Sequence, residues 1–115
     1  MELPKNEEAD LITGECEMCG RWGVVLTRHH LIPRARHRNR RARRSFDRRE
    51  MKGRIALVCR PCHNQIHDLY SEKELERSFN TLDALKNDDR IQRFVEWVRK
   101  KPPGIKPVSR RPRRT

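Results

Sequence analysis

The sequence predicts a small α+β domain, clamped by a bound metal ion and followed by C-terminal helices. Three observations carry that expectation. The chain has 115 residues, enough for one compact domain with tails. Only 34% of the residues are hydrophobic and 38% are charged, so the apolar core is thin and needs a further clamp. Four cysteines fall in two C-x-x-C pairs, Cys16/Cys19 and Cys59/Cys62, with segments of strand and helix character around them.

Taken in order, residues 1–12 read as a flexible start, polar and acidic over Met1–Asp10. The clamped domain is expected over residues 13–71. Glu15–Leu26 reads as a cysteine knuckle, with Gly20 and Gly23 flanking Trp22, that leads into a strand through Val24, Val25 and Leu26. His29–Pro33 is short and ends at Pro33. Residues 34–53 form an arginine-rich insert, a long loop or a solvated helix, whose length in a compact domain implies a task. Arg54–Val58 (RIALV) reads as a strand and Cys59–Cys62 as a second knuckle. A helix is expected from Cys62 to Tyr70, with Pro61 at its start.

Residues 72–101 are expected to be helical. Leu75, Phe79 and Leu82 mark one amphipathic stretch with a break near Asn80. Asn87 is the expected N-cap of a last helix, with Asp88 and Asp89 in its first turn. Ile91, Phe94, Val95 and Val98 form its apolar stripe, and Pro102–Pro103 stop it. These stripes read as core packing. Residues 102–115 read as a basic tail, disordered when free.

The formal net charge is +12, and it is concentrated. Arg34 to Arg54 holds 11 Lys/Arg against 2 acids, and Arg99 to Thr115 holds 8 Lys/Arg and no acid. Two basic segments on a mildly acidic body point to a polyanion partner, nucleic acid above all. An anionic membrane surface is disfavoured, because Phe46 and Met51 are the only large apolar residues of the first segment. No stretch approaches the roughly 20 apolar residues of a membrane span. The start lacks a signal-peptide apolar run, so a cytoplasmic protein is expected. In a reducing cytosol, two close cysteine pairs read as ligands of one structural Zn²⁺ rather than as disulfides. Four cysteines close the coordination sphere, so chemistry must come from elsewhere.

All five histidines lie between His29 and His67. His63 and His67 are four apart on the expected helix, so both imidazoles share a face at metal-ligand spacing. A third ligand from a neighbouring strand would leave positions for water and phosphate. His29 and His30 point to opposite sides of an extended strand, so one can hold a metal while the other faces substrate. Phosphodiester hydrolysis needs such a pair, a metal ion and a base near neutral pH. His37, inside the arginine run, reads as a solvated or phosphate-contacting residue.

CEMC at 16–19, HHLIP at 29–33 and LVCRPCHNQIH at 57–67 together resemble the zinc-containing HNH endonuclease family, over about half of the chain. The resemblance implies a ββα-metal (His-Me finger) unit with a four-cysteine zinc knuckle. It implies His30 as the general base, His29 as a metal ligand where many members carry aspartate, and His63 and His67 as helix ligands. It also implies single-metal hydrolysis of DNA, leaving a 5′-phosphate and a 3′-hydroxyl. The second, catalytic divalent ion that the resemblance implies would be Mg²⁺, Mn²⁺, Ni²⁺ or Zn²⁺, with imidazoles favouring the last three. The family's middle asparagine falls near Arg54 here, flanked by Gly53 and Ile55. Arg54 would either brace the base-bearing loop or reach a phosphate. Asn39 and Asn64 are the nearby asparagines. Arg34, Arg36, Arg38, Arg40, Arg41, Arg43 and Arg44 are the expected grip on the sugar-phosphate backbone, salt-dependent and of low sequence specificity. The alternative is a non-catalytic zinc-ribbon module that binds DNA or RNA. A third reading is a regulator whose helical C-terminal half docks on a protein.

Overall fold

The computed structural model describes residues 12–102. The basic tail, apart from its first residue, and most of the flexible start lie outside them. The fold is α+β. β1 (Ile12–Gly14), β2 (Val24–His30) and β3 (Ile55–Cys59) form an antiparallel sheet in the order β1-β2-β3. β1 was not expected, and it takes Ile12 out of the flexible start by pairing it with Leu26.

The first cysteine knuckle turns at Gly20 and Gly23, whose φ values of 81° and 74° suit glycine. It docks on the edge of β3. The Glu17 amide donates to the Leu57 carbonyl at 2.9 Å, and the Leu57 amide donates to the Glu17 carboxylate at 3.1 Å. That contact sets Cys16 and Cys19 beside the end of β3.

Between β2 and β3 the insert is neither a loop nor one solvated helix. It holds a 3-10 turn (Arg34–Arg36), α1 (Arg40–Ser45) and α2 (Arg48–Gly53). Asn39 caps α1 by accepting from the Ala42 amide. Asp47 and Glu50 form a reciprocal capping box on α2. Ile32, Ala42 and Met51, with Phe46 against them, make a small second core beneath the arginines.

α3 (Arg60–Leu69) follows β3 directly, with Cys59 just before its first turn, making no side-chain cap, and Pro61 within that turn. α4 (Glu72–Ser78) and α5 (Leu82–Lys86) break around Asn80, as the periodicity predicts. α6 (Asp89–Val98) is capped by Asp88, not by Asn87, which ends α5. Asp88 prevails because the Tyr70 hydroxyl donates to it at 2.6 Å and Arg90 pairs with it at 2.9 Å. The main core joins the cysteines, Val24, Leu26 and Val58 to Ile66, Leu75, Leu85, Ile91 and Val98. No described helix is long and apolar enough to cross a membrane.

Candidate metal centres

The four cysteines are buried, and their sulfurs all lie within 4.8 Å of one another. Cys19 Sγ and Cys59 Sγ are 3.8 Å apart, too far for a disulfide. A tetrahedron with metal–sulfur bonds of about 2.3 Å sets its sulfurs about 3.8 Å apart, so the spacing fits one zinc or a similar ion. Amides of Met18, Cys19 and Cys59 each donate to Cys16 Sγ at 3.3 Å, the environment a thiolate requires. Without a cation the four cannot all ionise. Contacts with Cys16, Cys19 and Cys59, and then burial, push the Cys62 thiol far above the ordinary range.

Arg21 was not foreseen at this site. Its guanidinium donates to Cys59 Sγ at 3.3 Å and to the Lys101 and Pro102 carbonyls at 3.2 Å each. It therefore offsets sulfur charge and ties the chain after α6 to the cysteine group. No local pattern could have announced a contact spanning eighty residues.

The second group is His29, His63 and His67, whose ligand nitrogens also lie within 4.8 Å of one another. The ring centres form a near-equilateral triangle of 5.2, 5.3 and 5.0 Å. Three imidazoles bound tetrahedrally at about 2.1 Å would set their ring centres roughly 5.3 Å apart. His29 is 0% exposed, and neither ring nitrogen has a hydrogen-bond partner. Buried polar atoms are rarely left so, and an ion between the three rings would satisfy one of them.

The His63 tautomer follows from its neighbour. Thr27 Oγ1 lies 2.8 Å from His63 Nδ1 and donates to the Val58 carbonyl at 2.8 Å. The hydroxyl has one proton, so it must accept from Nδ1–H, which leaves the Nε2 lone pair for a metal. Thr27 was missed by sequence reasoning, although its position two before His29 puts it on the same face of β2. Burial, then His63 and His67, hold His29 down to about 3. Burial, then His67 and Arg60, hold His63 down to about 4. Both rings are neutral at physiological pH, the form that binds metal.

His30, the next residue on β2, does not join this triangle. It lines a basic cavity with Arg34, Arg38 and Arg43. The His37 ring lies 6.2 Å from it, centre to centre. His37 Nε2 donates to the Ile32 carbonyl at 2.7 Å, so this ring is anchored rather than merely solvated.

Two arginines depart from expectation. Arg36 pairs with Glu76 at 2.9 Å, and Glu76 is 2% exposed, so Arg36 latches the insert to α4 and is not free for a phosphate. Arg34, Arg38, Arg40, Arg41, Arg43 and Arg44 are exposed. Arg54 donates to the Asn80 side chain at 3.0 Å and to Glu50 at 3.0 Å, and it lies over the Phe46 ring. Its backbone carbonyl accepts from Leu31. Its backbone thus joins the segment after His30, as any residue's could, while its guanidinium is engaged by Asn80 and Glu50. Asn39 is spent as a cap and Asn64 is exposed on α3.

No family model matches the chain, and no solved structure matches it significantly. It is 41% identical over 98 residues to the uncharacterized protein YisB of Bacillus subtilis (strain 168), with 83% of each chain covered. The chain belongs to the family of YisB.

Proposed function

We propose that the chain is a metal-dependent endonuclease of the HNH type, acting on DNA. The observation that carries this reading is the convergence of His29, His63 and His67, with His30 next to them on β2 but turned to an arginine-lined cavity. The reading takes β2, β3 and α3 as the ββα-metal unit and the four cysteines as its structural zinc site.

A divalent ion held by the three histidines would supply charge to the phosphate and the leaving oxygen. His30 takes the proton from the attacking water. Burial, then Arg34 and His37, lower its pKa, so the ring is unprotonated and ready near neutral pH. The water oxygen bonds to phosphorus, the bond to the 3′ oxygen breaks, that oxygen takes up a proton from solvent, and the products are a 5′-phosphate and a 3′-hydroxyl. The exposed arginines of the insert hold the backbone, without reading sequence.

The second reading is a zinc-ribbon module that binds DNA or RNA without turnover. Arg54 favours it, since this residue stands where the family has asparagine and is engaged with Asn80 and Glu50. A plasmid-nicking assay with Mg²⁺, Mn²⁺, Ni²⁺ and Zn²⁺ added separately decides between the two. The nuclease nicks, and His30→Ala lowers the rate by about 10²–10⁴ while binding persists. Absence of nicking with every ion, in protein that binds DNA, would leave the binding module.

A further inference from the structure

The cavity beside His30 has a volume of about 1150 Å³ and two kinds of wall. Its rim carries Arg34, Arg38, Arg43, Arg48 and Lys52. These come from the 3-10 turn and the segment after it, from α1 and from α2, so separate elements aim positive charge at one space. Asp47 also lines it; one of its oxygens accepts from the Glu50 amide as the cap of α2, and its single negative charge is outnumbered by these five cations.

The other wall is apolar, formed by Ala35, Phe46 and Met51. Phe46 and Met51 belong to the second core, with Arg54 over the Phe46 ring at 5.1 Å from its centre. The ring is thus held between Arg54 and the second core, and part of it lines the cavity.

A ligand made of phosphates alone has no use for that wall. A duplex presents a phosphate rail with its bases paired inside, so its bases do not reach the floor of a concave site. A single strand brings phosphates and unpaired bases together, and every base has a face that stacks on an aromatic ring. Sites for drug-sized ligands run to about 300–1,000 Å³. The cavity therefore has room for a base with its flanking phosphates.

We infer that this cavity seats a base and its neighbouring phosphates from an unpaired stretch of DNA, which makes single-stranded DNA the preferred substrate of the site. The preference rests on the nuclease reading only for the step at His30, since seating requires no cleavage.

The test is fluorescence anisotropy at one fixed salt concentration, on the full zinc-loaded chain with no other divalent ion added. Three probes share one length: a single-stranded oligothymidylate, the same backbone with abasic sites, and a duplex. The oligothymidylate is expected to bind roughly tenfold tighter than either other probe. Phe46→Ala should erase that margin, so that the normal strand binds no tighter than the abasic one. Phe46→Leu, which keeps the second core filled but removes the ring, should erase most of it. Equal affinity for the abasic and normal strands would overturn the inference, as would tighter binding of the duplex or a margin untouched by both variants. Binding is read apart from nicking, so a chain that seats the strand but never cuts it refutes the nuclease reading alone.

Discussion

Cys62 and His63 are neighbours in the chain, yet they serve groups of opposite character. The four cysteines are fully buried, and three amides and Arg21 donate to their sulfurs. The histidine group grades outward, from buried His29 through half-buried His63 to exposed His67. Its third imidazole faces solvent, and His30 lines the basic cavity beside it. Adjacent residues of α3 thus belong to a buried cysteine group and to a histidine group that opens to solvent on one side. Charge separates them too. Four thiolates need a cation to coexist, whereas three neutral imidazoles do not, so the fold should depend on one ion and tolerate exchange at the other.

The largest expected effect tests that dependence. Cys62→Ser should cost most of the stability of a small domain, since structural zinc contributes on the order of 10 kcal/mol to folds of this kind. Circular dichroism should show loss of the cooperative melt, whereas His67→Ala, at an exposed position, should melt close to wild type. A chain that melts normally after Cys62→Ser would end the distinction.

Thr27→Val is the next in size. It removes the hydroxyl that fixes His63 and should weaken binding of a divalent ion at the histidine group about 10–100-fold, as loss of a ligand's orienting partner does elsewhere. Isothermal titration on zinc-loaded protein reads this, and the cysteine-held ion should not respond.

The smallest effect is a pH slope. His29 and His63 are held at about 3 and about 4 in the fold, below the ordinary 6.5. The unfolded chain therefore takes up protons first as pH falls. The stability tied to these rings is complete above about 6.5 and is lost progressively as pH drops toward 4 and then 3. Denaturant melts across that range should show a shallower slope in His29→Leu than in wild type. Equal slopes would mean that burial does not hold His29 neutral.

The cysteine and histidine groups were legible because their spacings are local. C-x-x-C closes one turn, and His63 and His67 sit one helical turn apart. The insert was not legible, because its apolar residues, Ala42, Phe46 and Met51, are too sparse to reveal a period among arginines. Asp47 and Glu50 did carry a capping signal, which the charge run obscured. Asn87 and Asp88 are equally able caps in isolation, and only Tyr70 and Arg90 favour the second. The pairing of Arg36 with Glu76 and the engagement of Arg54 by Asn80 are long-range contacts with no local mark, so the roles of both arginines emerged only with the fold.

The most direct test joins metal content to activity. The chain is purified until it retains only its tightly held ion, and the nicking rate is then followed as a second divalent ion is added. The account predicts one retained ion per chain, a saturable rise in nicking with the second, and loss of that rise in His63→Ala with the retained ion undisturbed. Nicking that ignores the added ion, or that survives His63→Ala unchanged, would contradict the assignment of chemistry to the histidine group.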